Sequence, residues 1–391
     1  IAAIEEGADG IVAINTVGPV VYIEPHTGKP ILYNPQGHKG GKSGEWIRNT
    51  AIEKIKEIRQ AIGKNVPIIG MGGITTGQDV KRMRDAGADV IGIGSVLARV
   101  TMELKPDYLS ALKEDAENGT NNADKFVSKK RLAKYKPYKI TRIKQIEEDL
   151  KIFELEGRIE YEAGQFAFLW IPDMGEKPFS IAKDDPLTFI VRKREYDPNN
   201  EKGLFTHALF QLKKGDELMI RGVYGAEAPN NSKRYVYVVA GGTGIAVVPK
   251  LVERLRKQGK NITVYHGITS ENQAVFKDTI QQYARYILVT DNGITGRVLN
   301  VMQHDLKEKS LVNTCFYNVG PVPLMKRAMD TQENMGVNSR DIYASVETNN
   351  MCGIGMCGEC ECGGKLTCQQ GTFFSLDFLK SKGINLTELE K

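Results

Sequence analysis

Long apolar runs are missing from this sequence. No stretch approaches the roughly 20 apolar residues that cross a bilayer as a helix, so a membrane-spanning role is not expected. A secretory signal is not recognisable, and a cytoplasmic location is expected. Cysteine is scarce: there are 6 in 391 residues, and all but Cys315 fall between Cys352 and Cys368. Crowding of that kind, with no export signal, argues against a disulfide framework. A second C-x2-C pair is lacking, which removes paired zinc knuckles. An initiator methionine is absent too. The opening Ile-Ala-Ala-Ile reads as the end of a helix entering a strand, so the sequence is expected to start inside a domain.

What is present is ordinary globular composition, 41% apolar and 26% charged. A length of 391 residues suggests two or three domains. The net charge of +5 has a local source in Lys125, Lys129, Lys130, Arg131, Lys134, Lys136 and Lys139. Aromatic and apolar residues interrupt that run, so it reads as a solvated linker and not as a nucleic-acid arm.

The cysteines carry the strongest signal. Cys352, Cys357 and Cys360 form C-x4-C-x2-C, and Cys368 follows after seven residues. That is the plant-type ligand spacing of a [2Fe–2S] cluster. Gly353, Gly355 and Gly358 fit the same reading, because a loop around a cluster turns its N–H groups toward sulfur and needs positive φ. Cys362 is read as a non-ligand, with exchange against Cys360 as the alternative. Cys315, in an apolar run, is read as a core residue.

Upstream, apolar strands at 10–15, 67–70 and 90–94 alternate with helical patterns at 45–62 and 77–86. Trp46, Ile47, Ile52, Ile55, Ile58 and Ile62 recur at helical spacing in the first of these. The alternation predicts parallel β/α units. Glycine turns follow two strands, at Gly70-Met-Gly-Gly-Ile74 and Gly94-Ser95. Gly40-Gly-Lys-Ser-Gly44 precedes the long helix and is expected at its N-terminus. Together they read as a phosphate site of the kind built after the last strands of a (β/α)8 barrel. Only about half of a typical barrel of about 250 residues is present.

These residues, with Ala13-Ile-Asn-Thr16 and Gly28-Lys-Pro30, resemble the C-terminal half of dihydroorotate dehydrogenase, an FMN-binding barrel. The resemblance implies that Ser43, Gly44, Gly72, Gly73, Gly94 and Ser95 hold FMN and that Asn15 and Thr16 contact the pyrimidine substrate. Where that family continues its glycine-serine motif with a Pro-Ala-Ile-type segment, this chain has Glu45-Trp-Ile-Arg48. No residue of 1–120 is assigned as the catalytic base, which the family carries on the other half. Assembly into a homo-oligomer through the barrel is also implied.

Beyond a turn-rich segment, short strands at 140–146, 150–156, 165–171, 187–192 and 217–221 suggest a small antiparallel barrel. Lys177-Pro178-Phe179-Ser180 and Gly203-Leu-Phe-Thr206 lie among them, the second leading into a helix at 204–212. An apolar strand from Tyr235 then enters Gly241-Gly242-Thr243-Gly244, followed by a helix at 246–257. Further strands at 261–266, 286–290 and 314–318 alternate with helices. Ligands bind at the carboxyl ends of such strands, which puts Gly241, Gly242, Thr243, Gly244, Asp291 and Gly320 at a nicotinamide nucleotide site. NAD and NADP both stay open.

This order resembles the ferredoxin reductase family. The resemblance implies that Lys177, Pro178, Phe179 and Ser180 contact FAD and that Gly203 and Thr206 contact its diphosphate. With the cysteine loop appended, 130–391 looks like the electron-transfer subunit of class 1B dihydroorotate dehydrogenase. The expected organisation is a partial FMN-binding (β/α)8 barrel at 1–120, a linker at 121–134, an FAD-binding β-barrel at 135–230, an NAD-binding α/β domain at 231–345 and a [2Fe–2S] domain at 346–391. The implied reaction is oxidation of dihydroorotate to orotate, with electrons passing from FMN through the cluster and FAD to NAD. The alternative is an electron-transfer module of another NAD(P)H-linked oxidoreductase, of sulfhydrogenase or sulfide dehydrogenase type. A third reading is a gene remnant without activity.

Overall fold

The computed structural model describes residues 1–128, 134–199, 203–290 and 297–388. The chain folds as two compact units, Ile1–Leu132 and Ala133–Lys391.

In the first unit, β1 (Ile11–Ala13), β4 (Ile68–Met71) and β5 (Val90–Gly92) form a parallel sheet in the order β1-β4-β5. Between β1 and β4 lies an antiparallel pair, β2 (Val17–Val21) and β3 (Lys39–Lys42), which the sequence pattern did not signal. The pair corrects the reading of Gly40–Gly44 as a helix N-terminus. Gly40 and Gly41 lie inside β3, and a Cβ on Gly41 would stand 2.2 Å from Thr16 Oγ1. The chain then passes Gly44 (φ 88°) and a 3-10 turn before the helix Arg48–Ile62 begins. Trp46 sits in that turn and is 77% exposed, with Lys42 Nζ 4.8 Å from its ring centre. It is therefore not part of the buried stripe of Ile47, Ala51 and Ile55.

The helix Gly77–Asp85 opens with a capping box between Thr76 and Asp79. Arg48 reaches Asp79 at 3.0 Å, and so ties the two helices together. One face of the sheet is covered: Ile68 packs with Ile55, Val80 and Met83 in a single apolar cluster. The other is open. Val12, Ile69 and Val90 are neighbours in register and are 63%, 37% and 54% exposed.

The second unit contains two large sheets. The first has seven antiparallel strands in the order β10-β11-β7-β6-β12-β8-β9. They are β6 (Lys136–Glu147), β7 (Leu150–Leu155), β8 (Phe166–Ile171), β9 (Gly175–Ser180), β10 (Lys183–Asp184), β11 (Leu187–Arg192) and β12 (Glu217–Tyr224). The second sheet has the order β15-β14-β13-β16-β17-β20. Its parallel members are β13 (Tyr235–Gly241), β14 (Asn261–Ile268), β15 (Arg285–Thr290), β16 (Thr314–Val319) and β17 (Ile342–Ser345). The cysteine loop follows, then a small antiparallel pair, β18 (Glu361–Cys362) and β19 (Lys365–Leu366). The chain finally returns as β20 (Phe373–Ser375), antiparallel to β17. A shared core joins the two sheets, with Leu150, Ile152 and Ile190 packed among Val238, Ala240, Val264 and Phe373.

His266 on β14 is fully buried. Its Nδ1 meets Tyr286 Oη at 2.6 Å, and its Nε2 has no hydrogen-bond partner among the described residues. Burial lowers its pKa from 6.5 to about 4. Above pH 6.5 the ring is neutral whether the chain is folded or not. Below that the unfolded chain takes up a proton that the folded chain refuses until about pH 4, so stability falls across this window. At about 1.4 kcal/mol per pH unit the loss reaches roughly 3 kcal/mol. Urea unfolding between pH 7 and pH 4 should show this loss, and His266→Gln should remove most of that slope.

Candidate functional site

The cysteine loop brings its thiols together. Cys360 Sγ lies 3.3 Å from Cys368 Sγ. Cys352 Sγ accepts the N–H of Ile354 at 3.4 Å and of Met356 at 3.3 Å. Gly353, Gly355 and Gly358 have φ of 75°, 72° and 80°, as a loop that turns its N–H groups inward requires. A hydrogen bond from Cys368 and the N–H groups of the loop hold the Cys352 thiol well below its ordinary value. Hydrogen bonding with Cys368 lowers Cys360 as well. Hydrogen bonding with Cys352 and Cys360 raises Cys368, and burial raises Cys357. Cys362 faces elsewhere: it is buried in the apolar cluster of Phe374, Leu376 and Leu379, and burial pushes its thiol up to about 11. Cys315 is a core residue, pushed up to about 12. Among the described residues no three His, Cys, Asp or Glu side chains are grouped to hold a single metal ion.

The loop is seated on the antiparallel sheet. Cys360 and Cys368 are buried with Phe166 and Phe168 of β8, and Tyr224 and Leu366 pack against them. The N–H of Gly225 donates to Cys368 O at 2.8 Å.

On the same sheet, Lys177, Pro178, Phe179 and Ser180 lie on β9, paired with β8 from Leu169↔Lys177 to Phe166↔Ser180. They follow the turn that joins β8 to β9 and lie within the second strand, Gly175–Ser180. Lys177 is exposed and the other three are half-buried. Gly203 caps the helix Leu204–Gln211 at φ 85°, and a Cβ there would stand 2.3 Å from Glu195 O. Thr206 Oγ1 donates to Gly203 O at 2.9 Å and accepts the N–H of Arg194 at 3.1 Å, so its hydroxyl braces the turn. Phe205 brings its ring to 6.1 Å from that of Phe179.

In the parallel sheet, Gly241 ends β13 and a 3-10 turn, Gly242–Val247, carries Thr243 and Gly244 to the helix Val248–Lys257. Gly244 and Gly320 meet backbone to backbone. A Cβ on Gly244 would lie 2.4 Å from Gly320 N, and one on Gly320 would lie 2.5 Å from Gly241 O. Asp291 lies outside the described residues.

In the first unit, Gly44, Gly73 and Ser95 come together. A Cβ on Gly73 would stand 2.9 Å from Gly44 O, and one on Gly44 would stand 3.6 Å from Ser95 Oγ. Gly94 caps the 3-10 turn that Ser95 begins, and Gly72 packs against Ala51. Ser43, Asn15 and Thr16 are exposed.

Comparison with known proteins now decides the family. Residues 1–114 match the family model for dihydroorotate dehydrogenase. Over 243 residues the chain is 32% identical to a Thermococcus kodakarensis protein named "Probable dihydroorotate dehydrogenase B (NAD(+)), electron transfer subunit", covering 61% of this chain and 96% of the relative. A Methanocaldococcus jannaschii protein of the same name is 33% identical over 252 residues, 62% of this chain and 91% of the relative. The chain belongs to the family of dihydroorotate dehydrogenase B electron transfer subunits. The match to dihydroorotate dehydrogenase lies in the same polypeptide, so the chain is a fusion of the two. It is an oxidoreductase of the electron-transferring kind. The fold is shared with the solved structure of an NADH-dependent reduced ferredoxin–NADP oxidoreductase, at a TM-score of 0.55 and 23% identity over 66% of this chain and 92% of that one.

Sequence reasoning overlooked Arg221 and its partner Glu176. The available signal was a lone cation inside the apolar strand Leu218-Met-Ile-Arg-Gly-Val-Tyr224. Arg221 is only 4% exposed, and Glu176 Oε1 lies 2.5 Å from its Nη2.

The backbone contact between Gly244 and Gly320 leaves no room for a methyl group. Gly244→Ala is expected to cost about 1–3 kcal/mol through overpacking. It should also abolish NADH binding measured by fluorescence titration, whereas Gly259→Ala, which meets no atom and carries only the local strain of φ 76°, leaves that binding unchanged.

Proposed function

We propose that this chain serves NAD-linked oxidation of dihydroorotate, the residues after the linker acting as its electron-transfer part and residues 1–120 as part of its catalytic barrel. The observation that carries the reading is the seating of Cys360 and Cys368, 3.3 Å apart, against Phe166 and Phe168 of β8, in the sheet that also bears Lys177–Ser180. The donor chemistry fits a [2Fe–2S] cluster. Such a cluster takes two thiolates on each iron, and the thiols come as neighbours, Cys360 with Cys368 and Cys352 beside Cys357. That demand differs from three ligands around one ion.

Cys352, Cys357, Cys360 and Cys368 would hold the cluster. Lys177, Pro178, Phe179 and Ser180 would hold FAD, with Gly203 and Thr206 shaping the turn at its diphosphate. Gly241, Gly242, Thr243, Gly244 and Gly320 would receive NAD, where absent side chains let backbone N–H groups approach phosphate. In the first unit, Gly44, Gly73 and Ser95 fit the phosphate end of an FMN site, with Ser43, Gly72 and Gly94 around them and Asn15 and Thr16 toward the substrate. The open face of Val12, Ile69 and Val90 supports the barrel reading, because parallel sheets are covered on both faces and a closed barrel fills its own interior. When bound, the flavins supply both hydride and single-electron exchange, and the cluster supplies single-electron exchange.

The test begins with anaerobic purification and assay of iron, sulfide and flavin. Wild type should hold about two irons per chain. Serine at Cys352, Cys357, Cys360 or Cys368 should cut that content severalfold, and Cys362→Ser should keep it. The native enzyme should couple dihydroorotate oxidation to NAD reduction. An iron-free wild type sinks the cluster assignment. NADH oxidation by the native enzyme with artificial acceptors, but no turnover of dihydroorotate, favours an electron-transfer module for another partner.

A further inference from the structure

Arg221 stands in β12 with its charged head turned into the protein. Nε donates to Glu176 Oε2 at 2.6 Å, and Nη2 to Glu176 Oε1 at 2.5 Å. Nη1 donates to Tyr224 Oη at 2.7 Å. The remaining two bonds leave the sheet. Nη1 reaches Cys352 O at 2.9 Å and Nη2 reaches Met351 O at 3.1 Å. Every guanidinium N–H thus has an acceptor. The Phe168 ring lies beneath, 4.0 Å from the guanidinium carbon to the ring centre. Tyr135 Oη donates to Glu176 Oε2 at 2.7 Å and holds the carboxylate from its far side.

This arrangement exceeds what packing alone needs. A cation on the carbonyl of Cys352 orients that peptide. The trans peptide is planar, so the N–H of Gly353 points the opposite way from the Cys352 carbonyl, away from Arg221. A Cβ on Gly353 would sit 3.1 Å from Arg221 Nη1, so glycine is also what lets the fork approach. The next N–H groups along, those of Ile354 and Met356, already converge on Cys352 Sγ. Arg221 thereby anchors the end of the loop at which the first thiol is presented, and brings a positive charge, little screened by water, close to it.

We infer that Arg221 is a positioning residue for the cluster: it clamps the Cys352 end of the loop to the antiparallel sheet and, with Glu176 behind it, sets how readily the cluster is reduced. The inference rests on the proposed cluster reading. Reduction adds one negative charge, which a nearby cation stabilises and a nearby carboxylate opposes. The two partners should therefore act with opposite sign, whereas a merely structural role would move both in the same direction.

The experiment is a redox titration of the anaerobically purified holo-chain, followed by electron paramagnetic resonance of the reduced cluster. Arg221→Gln should lower the equilibrium constant for reduction about tenfold, about 59 mV for a one-electron couple. Glu176→Gln should shift it the other way. Arg221→Lys keeps the charge and loses the fork, so it should recover most of the potential while its iron is stripped faster by a chelator. Unchanged potentials in Arg221→Gln and Glu176→Gln at full iron content overturn the inference, and so do shifts of the same sign. If Arg221→Gln fails to retain iron, the decision passes to Glu176→Gln: an upward shift supports the inference and no shift overturns it. A wild type without iron is a different result, since it removes the cluster reading itself.

Discussion

A cation taken out of water must be met by acceptors on every side, and Arg221 meets that demand by drawing separate parts of the second unit together. Its acceptors come from β9, from β12 and from the cysteine loop. Charge burial of this kind is weak evidence of net stability, because desolvation offsets most of the attraction. Loss of one partner is a different matter and costs about 3–5 kcal/mol, since the other charge is left buried alone. The pair is thus poor as glue and strong as a constraint on geometry. It holds a glycine-rich loop, whose Met351 and Met356 stay exposed and add little to the core, in one place on a sheet.

The same unit is unified by its apolar core. Residues of β7 and β11 pack with those of β13 and β14, so the antiparallel and parallel sheets share one interior. Glu147 at the end of β6 reinforces the joint, accepting from Ser270 Oγ at 2.6 Å and Gln273 Nε2 at 2.7 Å beyond β14. At the other edge β20 adds a strand to the parallel sheet after the cysteine loop. Residues bearing cofactor-type motifs are thereby held on one body. Electron exchange depends steeply on separation, and a common core keeps separations constant without a cofactor's help.

Much of this was legible locally. Period-2 and continuous apolar runs located most strands to within a few residues, because burial on one or both faces leaves that mark. The glycines at 203, 244 and 320 read in the sequence as phosphate contacts, and the structure places each where backbone approaches backbone, which only a residue without Cβ permits. The β2–β3 pair escaped because its burial pattern is almost wholly exposed, so no apolar alternation marks it. Trp46 was placed on a helical stripe by spacing alone, yet the helix starts two residues later. β20 was missed because its pairing partner β17 lies across the cysteine loop.

The sequence by itself determined the chemistry available. Thiol spacing is covalent geometry, and four thiols within seventeen residues, with glycines between them, are committed to one loop whatever the rest of the chain does. It also determined the alternation of strands and helices, since periodicity depends on neighbours along the chain. Only the tertiary structure decided what that loop rests on. The carbonyl of Cys352 and the guanidinium of Arg221 are separated by 131 positions. No local pattern encodes their meeting; it follows from the shared core and from the need of a buried charge to find its acceptors. The same holds for Cys362, two positions from a proposed ligand, whose thiol lies in the apolar cluster of Phe374, Leu376 and Leu379.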